Sequence, residues 1–488
     1  MKSYKIIIAS AAILLSGCTK NLKSLDYSDI NPSIFPKTAA DIEALVNAAY
    51  YPLRGSYSNG IFSTSERGEM FITDATTEIL WGPYGDQNTA TLQSYLPKDA
   101  AFTHYYDDYY NKISQMTLTI DQIQKSTVSA DVKTKAIAEV RCARGLLAYT
   151  LFDLYGPLVV APLDVLQNPL KEVTLARLTN QEMVDYIKAD LVAAAADLPA
   201  PADAQYGRFN KALAKMIQIR LDLHEKNWAE VATLCDDIIA YNYYIIDPNY
   251  VGMWDLEGAK NSKEVIWAIP CDYAGTSENQ WQLMVLPAVF SPKGGFGTIQ
   301  SSWYFYDSFE SSDIRKTMLI TEFTGSDGIT YNRGNPGTLI NYGPLPLKIN
   351  QDAARTTGLT TVDIIMYRYA DVLLSKAEAL ANIAGGPTQQ AMDLVTVIRK
   401  RAGLSAKPLA QYASLSQFND LILLERSHEF WCENGQYRAD EIRMGKFISR
   451  CQQVKHSTLT GPNKVLFPFS QARVAEGKGK FIQNPGYN

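Results

Sequence analysis

The 488-residue sequence is poor in the groups that most enzymes depend on: it has four histidines and six cysteines. His104, His224, His428 and His456 are scattered and form no HExxH pair, and there is no GxSxG elbow, Walker A loop or EF-hand loop. These absences remove the easily read metalloproteases, α/β-hydrolases and nucleotide enzymes. Basic residues are also scarce, with 46 Lys and Arg against 51 Asp and Glu and a pI near 5.6, which argues against a nucleic-acid binder. Beyond the first residues no apolar run approaches the ~20 needed for a membrane-spanning helix. No acidic cluster marks a metal site, and no cofactor is expected.

What is present begins at the amino terminus. Lys2 and Lys5 precede the apolar run Ile6 to Leu15, and Ser16 and Gly17 lead to Cys18, the pattern of a secretory signal peptide. Leu-Ser-Gly-Cys resembles the lipobox of bacterial lipoproteins, which implies cleavage after residue 17 and lipidation of Cys18. Residues 18–37, polar and with two prolines, then form a tether, and 38–488 form the folded domain. Two or more acyl chains anchor stably, because each buried methylene contributes ~0.8 kcal/mol. Thr19 and Lys20 do not decide which leaflet is meant. The other cysteines, at 142, 235, 271, 432 and 451, are odd in number and contain no CxxC, so buried thiols are expected, with one disulfide left open.

Helical periodicity dominates the rest. Apolar residues recur at three- and four-residue steps over 131–155 and 362–383, each stretch ending at a Gly/Pro terminator, and a further helix at 389–401 follows a short turn. Shorter patterns predict helices over 41–51, 105–125, 181–197, 211–225, 228–241 and 415–433. Such pairs are the unit of tetratricopeptide-like stacks, although the strict 34-residue signature is not legible. From about 242 to 350 Gly, Pro, Ser, Asn and aromatics take over, with strand-like runs such as 265–269. Irregular segments this long usually serve a function.

The aromatic residues, 29 Tyr, 17 Phe and 7 Trp, offer a chemistry that the histidines do not. Sugar rings stack their C–H faces on Trp and Tyr, while their hydroxyls need Asn, Gln, Asp and backbone partners. Trp228, Trp267 and Trp431 are expected in the core, and Trp254 is ambiguous. Trp81 with Tyr84 and Asn88, Trp281 with Asn279, and Trp303 lie in turn-rich, polar surroundings and are the candidate ligand contacts. His428 could serve as a base but is expected to be structural.

Four stretches resemble the SusD/RagB family of surface nutrient-binding lipoproteins: RCARGLLAYTLFDLYG (141–156), RYADVLLSKAEALA (368–381) with IRKRAGL (398–404), ERSHEFWCENGQYRADEIRMG (425–445), and the ending LFPF…NPGY (466–487). Ser427 stands where the family commonly has arginine. The resemblance implies a mainly α, SusD-like domain: four tetratricopeptide-like helix pairs, short strands, and the loop-rich insertion at 242–350 forming a shallow site. It implies non-catalytic capture of extracellular oligosaccharide or polysaccharide at the outer membrane and delivery to a SusC-like, TonB-dependent transporter. Alternatives are oligopeptide capture by the same system, a helical-repeat envelope scaffold, and a glycosidase, which needs only two carboxylates brought together by folding. Arg368 and Asp371, and likewise Arg438, Asp440 and Arg443, are expected as partly buried ion pairs between helices.

Overall fold

The structure is a computed structural model that describes residues 35–55, 60–65, 68–272, 277, 279–290, 294–349 and 360–487. The signal peptide, Cys18 and most of the tether lie outside the described residues.

Among the described residues eight helices form the stacked scaffold: α1 (Ala100–Lys125), α2 (Ala130–Tyr155), α3 (Asn180–Asp197), α4 (Lys211–His224), α5 (Trp228–Ile239), α6 (Tyr369–Ala384), α7 (Gln389–Arg401) and α8 (Leu415–Phe430), and the helix Ala39–Tyr50 packs against α2 from outside the stack. Each of the eight packs on the next, so four helix pairs stack in succession. Their starts follow from local chemistry. Ser129, Thr179, Asn210, Thr388 and Ser414 each cap an exposed backbone N–H, and Thr179 and Glu182 complete a capping box. At its C-terminal end α2 stops at Gly156, in a positive-φ conformation that a side chain would resist.

The stack is continuous in space but not in sequence. Helix α5 ends at Ile239 and α6 begins at Tyr369, yet the two pack together, and everything between them leaves the stack and returns. Ala370, Ala377 and Ala381 are fully buried against Ala391, Met392, Val395 and Ile398, which is the close helix approach that small residues permit.

The insertion carries more order than its composition predicts. Strand β2 (Val265–Ile269) pairs antiparallel with β8 (Ile364–Arg368), and shorter pairs join β1 (Leu80–Trp81) to β3 (Gln300–Ser301), β4 (Leu319–Ile320) to β7 (Leu345–Pro346) and β5 (Glu322–Thr324) to β6 (Thr330–Asn332). The expected helix at 362–383 is therefore corrected: its first residues are strand β8, buried on both faces, and the helix starts at Tyr369. The insertion packs around a second core that includes its Trp254, Trp281, Phe305 and Ile340 together with Phe71 and Trp431 from the flanking segments.

Charged residues of the family-like segments join the helical stack to this core; Arg368, Asp371, Arg438 and Asp440 are fully rather than partly buried, whereas Arg443 is half-buried as expected. Arg368 does not pair with Asp371. Its guanidinium instead donates to both oxygens of Glu433 at 2.8 Å and to Glu264 at 2.7 Å. Asp371 and Asp440 each accept from Arg426 at 2.6 Å, while Arg443 donates to Asp440 at 2.8 Å and to Glu378 at 2.9 Å. Arg438 donates to the Val465 carbonyl at 2.6 Å. Although burial alone would raise the Asp440 carboxyl, Arg220, Arg426 and Arg443 hold it well below the usual carboxylate range. Removing one partner would leave an uncompensated buried charge, at a cost of about 3–5 kcal/mol.

All five described cysteines are free, four of them buried and Cys271 half-buried. His428 is buried, stacked on Phe309 at 3.9 Å, with Nε2 2.8 Å from Ser308 Oγ. Burial and the neighbouring Arg315 hold its ring well below the usual imidazole range, so it stays neutral as a packing residue.

Candidate functional site: an aromatic shelf on laced loops

Three separate segments meet around Trp81. Strands β1 and β3 pair Leu80 with Ser301 and Trp81 with Gln300. Ser302 N–H donates to the Ile79 carbonyl at 2.8 Å, Ser301 N–H to Pro344 at 2.8 Å and Trp303 N–H to Tyr342 at 3.0 Å. The buried Gln300 amide locks the third segment: its Oε1 accepts Tyr342 N–H at 2.9 Å, and its Nε2 donates to the Thr338 carbonyl at 3.1 Å. Gly343 is required by proximity, because a Cβ there would sit 1.7 Å from the Ser301 carbonyl oxygen. Glycine at position 82 serves similarly, since a Cβ there would lie 2.1 Å from that of Gln87.

The product of this lacing is a pair of parallel rings. Trp81 and Tyr342 stack with centroids 4.6 Å apart and planes 9° from parallel, and both are half-buried. Each ring uses one face on the other, which fixes the pair without ligand, and part of each remains at the surface. Tyr84, 52% exposed, caps the short helix Gly85–Thr91, and half-buried Asn88 lies one turn further on, its N–H donating to the Tyr84 carbonyl at 3.1 Å. Platform and amide are thus carried on one loop and one helical turn.

The other candidates have different positions. Trp281 is fully buried, stacked on Phe71 at 4.8 Å, and its indole N–H donates to the Pro346 carbonyl at 3.0 Å. That corrects the expectation of a ligand contact, since no face of the ring is open to solvent. Asn279 is corrected with it: its side chain is buried, donating to the Val362 carbonyl at 2.7 Å and accepting Trp281 N–H at 3.0 Å. Trp303 is half-buried and opens a short helix, Trp303–Ser308, as its sequence suggested. The Arg333 guanidinium lies 4.5 Å from the Trp303 ring, held there by two 2.9 Å bonds to Asp307, so a cation already occupies one face.

Sequence reasoning missed Tyr342, Gln300 and Gly343. A signal for the first was present: Asn341-Tyr342-Gly343-Pro344 has the same turn-and-aromatic character as Gly82-Pro83-Tyr84-Gly85. Among the described residues no group of three or more His, Cys, Asp or Glu is placed to hold a metal ion. No described helix is long and apolar enough to cross a membrane.

Comparison with known proteins places this architecture. Residues 328–450 match the model of the SusD family, and residues 25–221 match a model described as starch-binding, associating with the outer membrane. The chain is 22% identical to SusD-like protein P25 of Formosa agariphila, over 96% of this chain and 95% of the relative. It is 22% identical to the starch-binding protein SusD of Bacteroides thetaiotaomicron, over 90% of each. Among solved structures, a SusD superfamily protein from Parabacteroides distasonis superposes with a TM-score of 0.77 at 21% identity, covering 92% of this chain and 99% of the other. The surface glycan-binding protein A of Bacteroides thetaiotaomicron, in complex with laminarihexaose, superposes with a TM-score of 0.74 at 18% identity, covering 91% and 99%. With its stacked helix pairs, its inserted loops and matches at both ends of the domain, the chain belongs to the SusD/RagB family.

Proposed function

We propose that this protein captures extracellular oligosaccharide or polysaccharide on the Trp81–Tyr342 shelf without cleaving it. The observation that carries the reading is the preformed stacked pair. Two half-exposed rings, held parallel by backbone lacing before any ligand arrives, lose little freedom on binding. A sugar ring stacks on such a surface, and Tyr84 and Asn88 supply a third aromatic and an amide for its hydroxyls. Supporting this reading, the relatives above include a starch-binding protein and a glycan-binding protein solved with laminarihexaose.

The rest of the proposal concerns location. Lipidation of Cys18 tethers the domain to the outer membrane, on the cell surface, and the captured glycan passes to a SusC-like, TonB-dependent transporter. Incorporation of radiolabelled palmitate that is lost in Cys18→Ser tests the anchor. Co-purification with a barrel protein after mild detergent extraction tests the partner. For capture, purified protein run in native gels cast with a panel of polysaccharides should be retarded by at least one, and that retardation should depend on Trp81. If no polysaccharide retards it and a peptide library binds instead, the oligopeptide reading replaces this one.

A further inference from the structure

A small cavity lies where the helical stack meets the loop-rich half. It leaves about 20 Å³ for the centre of a water-sized sphere, and its walls include Glu69, Tyr149, Asp153, Arg220, Tyr367 and Gln436. About 10–15 Å³ on this measure admits one water. The lining comes from α2, α4, β8, the turn after α8 and the short helix Glu69–Ala75 that leads toward the shelf.

Two of the lining side chains, both more than nine-tenths buried, have an oxygen with no protein donor: Glu69 Oε2 and Gln436 Oε1. The rest of Gln436 is accounted for, with Nε2 donating to the Met366 carbonyl at 2.9 Å and its own carbonyl accepting from Arg220 at 3.0 Å. A buried acceptor left without a donor costs about 1–3 kcal/mol, so two such oxygens in one cavity call for a shared donor. The backbone makes room for it. Gly435 has φ +58°, and a Cβ there would stand 2.4 Å from Glu69 Oε1 and 2.3 Å from Thr73 Oγ1.

We propose that this cavity is the site of one structural water, which donates to Glu69 Oε2 and Gln436 Oε1 and so bridges the shelf-bearing segment to the scaffold. Charge selects water over an ion. A cation would sit beside the Arg220 guanidinium, whose Nη1 lies 3.0 Å from Asp440 without a hydrogen bond and is left to donate to the water, and an anion would face two acceptor oxygens. Burial, with the nearby Asp74 and Asp153 charges, pushes the Glu69 carboxyl up to about 8, so at neutral pH one of its oxygens carries a proton and the other accepts from the water.

The test is a crystal structure of the protein grown in rubidium chloride, at a resolution where waters are resolved. The expected result is a single peak of water height between the two oxygens, without anomalous signal. An empty cavity or an anomalous rubidium peak there would overturn the proposal. Glu69→Gln, which still offers hydrogen-bonding atoms, should keep the peak, whereas Glu69→Leu should lose it and melt at a lower temperature than Glu69→Gln. If Glu69→Leu does not fold, the wild-type and Glu69→Gln maps still decide: a peak absent from both contradicts the bridge.

Discussion

The loops around Trp81 and Trp281 are near-equivalents in sequence and opposites in space. Each sets a tryptophan among Gly, Asn, Gln and acidic residues, and each suggested a ring offered to solvent. In the folded chain Trp81 is stacked on Tyr342 with part of its surface free, whereas Trp281 lies against Phe71 in the second core. The difference comes from what each backbone meets. Strand β1 pairs with β3 at the edge of a two-stranded ribbon, while the Asn279 side chain reaches the Val362 carbonyl and draws its loop inward. Local composition reports that a tryptophan sits in a turn; a partner more than 80 residues away decides whether its face is open.

The largest expected effect lies on the buried side of this contrast. Trp281→Ala should destabilise the fold by about 3–5 kcal/mol, the range for emptying a large aromatic site, read in a denaturant titration. Trp81→Ala should change stability far less. If the two variants unfold alike, the contrast is wrong.

Next is the lacing beneath the shelf. Gly343→Ala forces a methyl into the Ser301 carbonyl and should cost about 1–3 kcal/mol, as overpacking does, while displacing Tyr342 and weakening glycan retention. Retention equal to wild type would show that the shelf does not need this approach.

Trp81→Ala itself should reduce affinity by about 1–3 kcal/mol if ring stacking carries binding, a magnitude borrowed from base–aromatic stacking. Isothermal titration with the best polysaccharide fragment measures it, and Tyr342→Ala should fall in the same range.

The last expected effect is a pH dependence at the junction. Glu69 titrates near 8 in the folded state and near 4.3 unfolded, so the folded state holds the proton more tightly. The stability it provides is complete below the unfolded value and is lost as pH rises toward 8. Thermal melts at pH 5 and pH 8 should therefore differ less in Glu69→Gln than in wild type. An unchanged difference would mean that other groups set the slope.

The helices were legible because a 3.6-residue period survives whatever packs on it, and α2, α4 and α7 begin and end close to where their caps and terminators put them. Strand β8 was not, since Ile364–Arg368 is buried on both faces and so has no alternation to separate it from the helix that follows. The charged residues of the family-like segments were legible as buried and paired, but their partners were not: Arg368 finds Glu433, Glu429 and Glu264 rather than its neighbour Asp371. At the site, Trp81 was legible as a candidate and Tyr342 was not, because the contact that joins them crosses more than 250 residues.

The most direct test of the account is native gel electrophoresis of wild type, Trp81→Ala and Tyr342→Ala through a panel of polysaccharides, with thermal melts run in parallel. The account predicts that at least one polysaccharide retards wild type, and that both variants lose that retardation while melting within a few degrees of it. Trp81→Ala retarded as strongly as wild type, or no retardation by any polysaccharide, would contradict it.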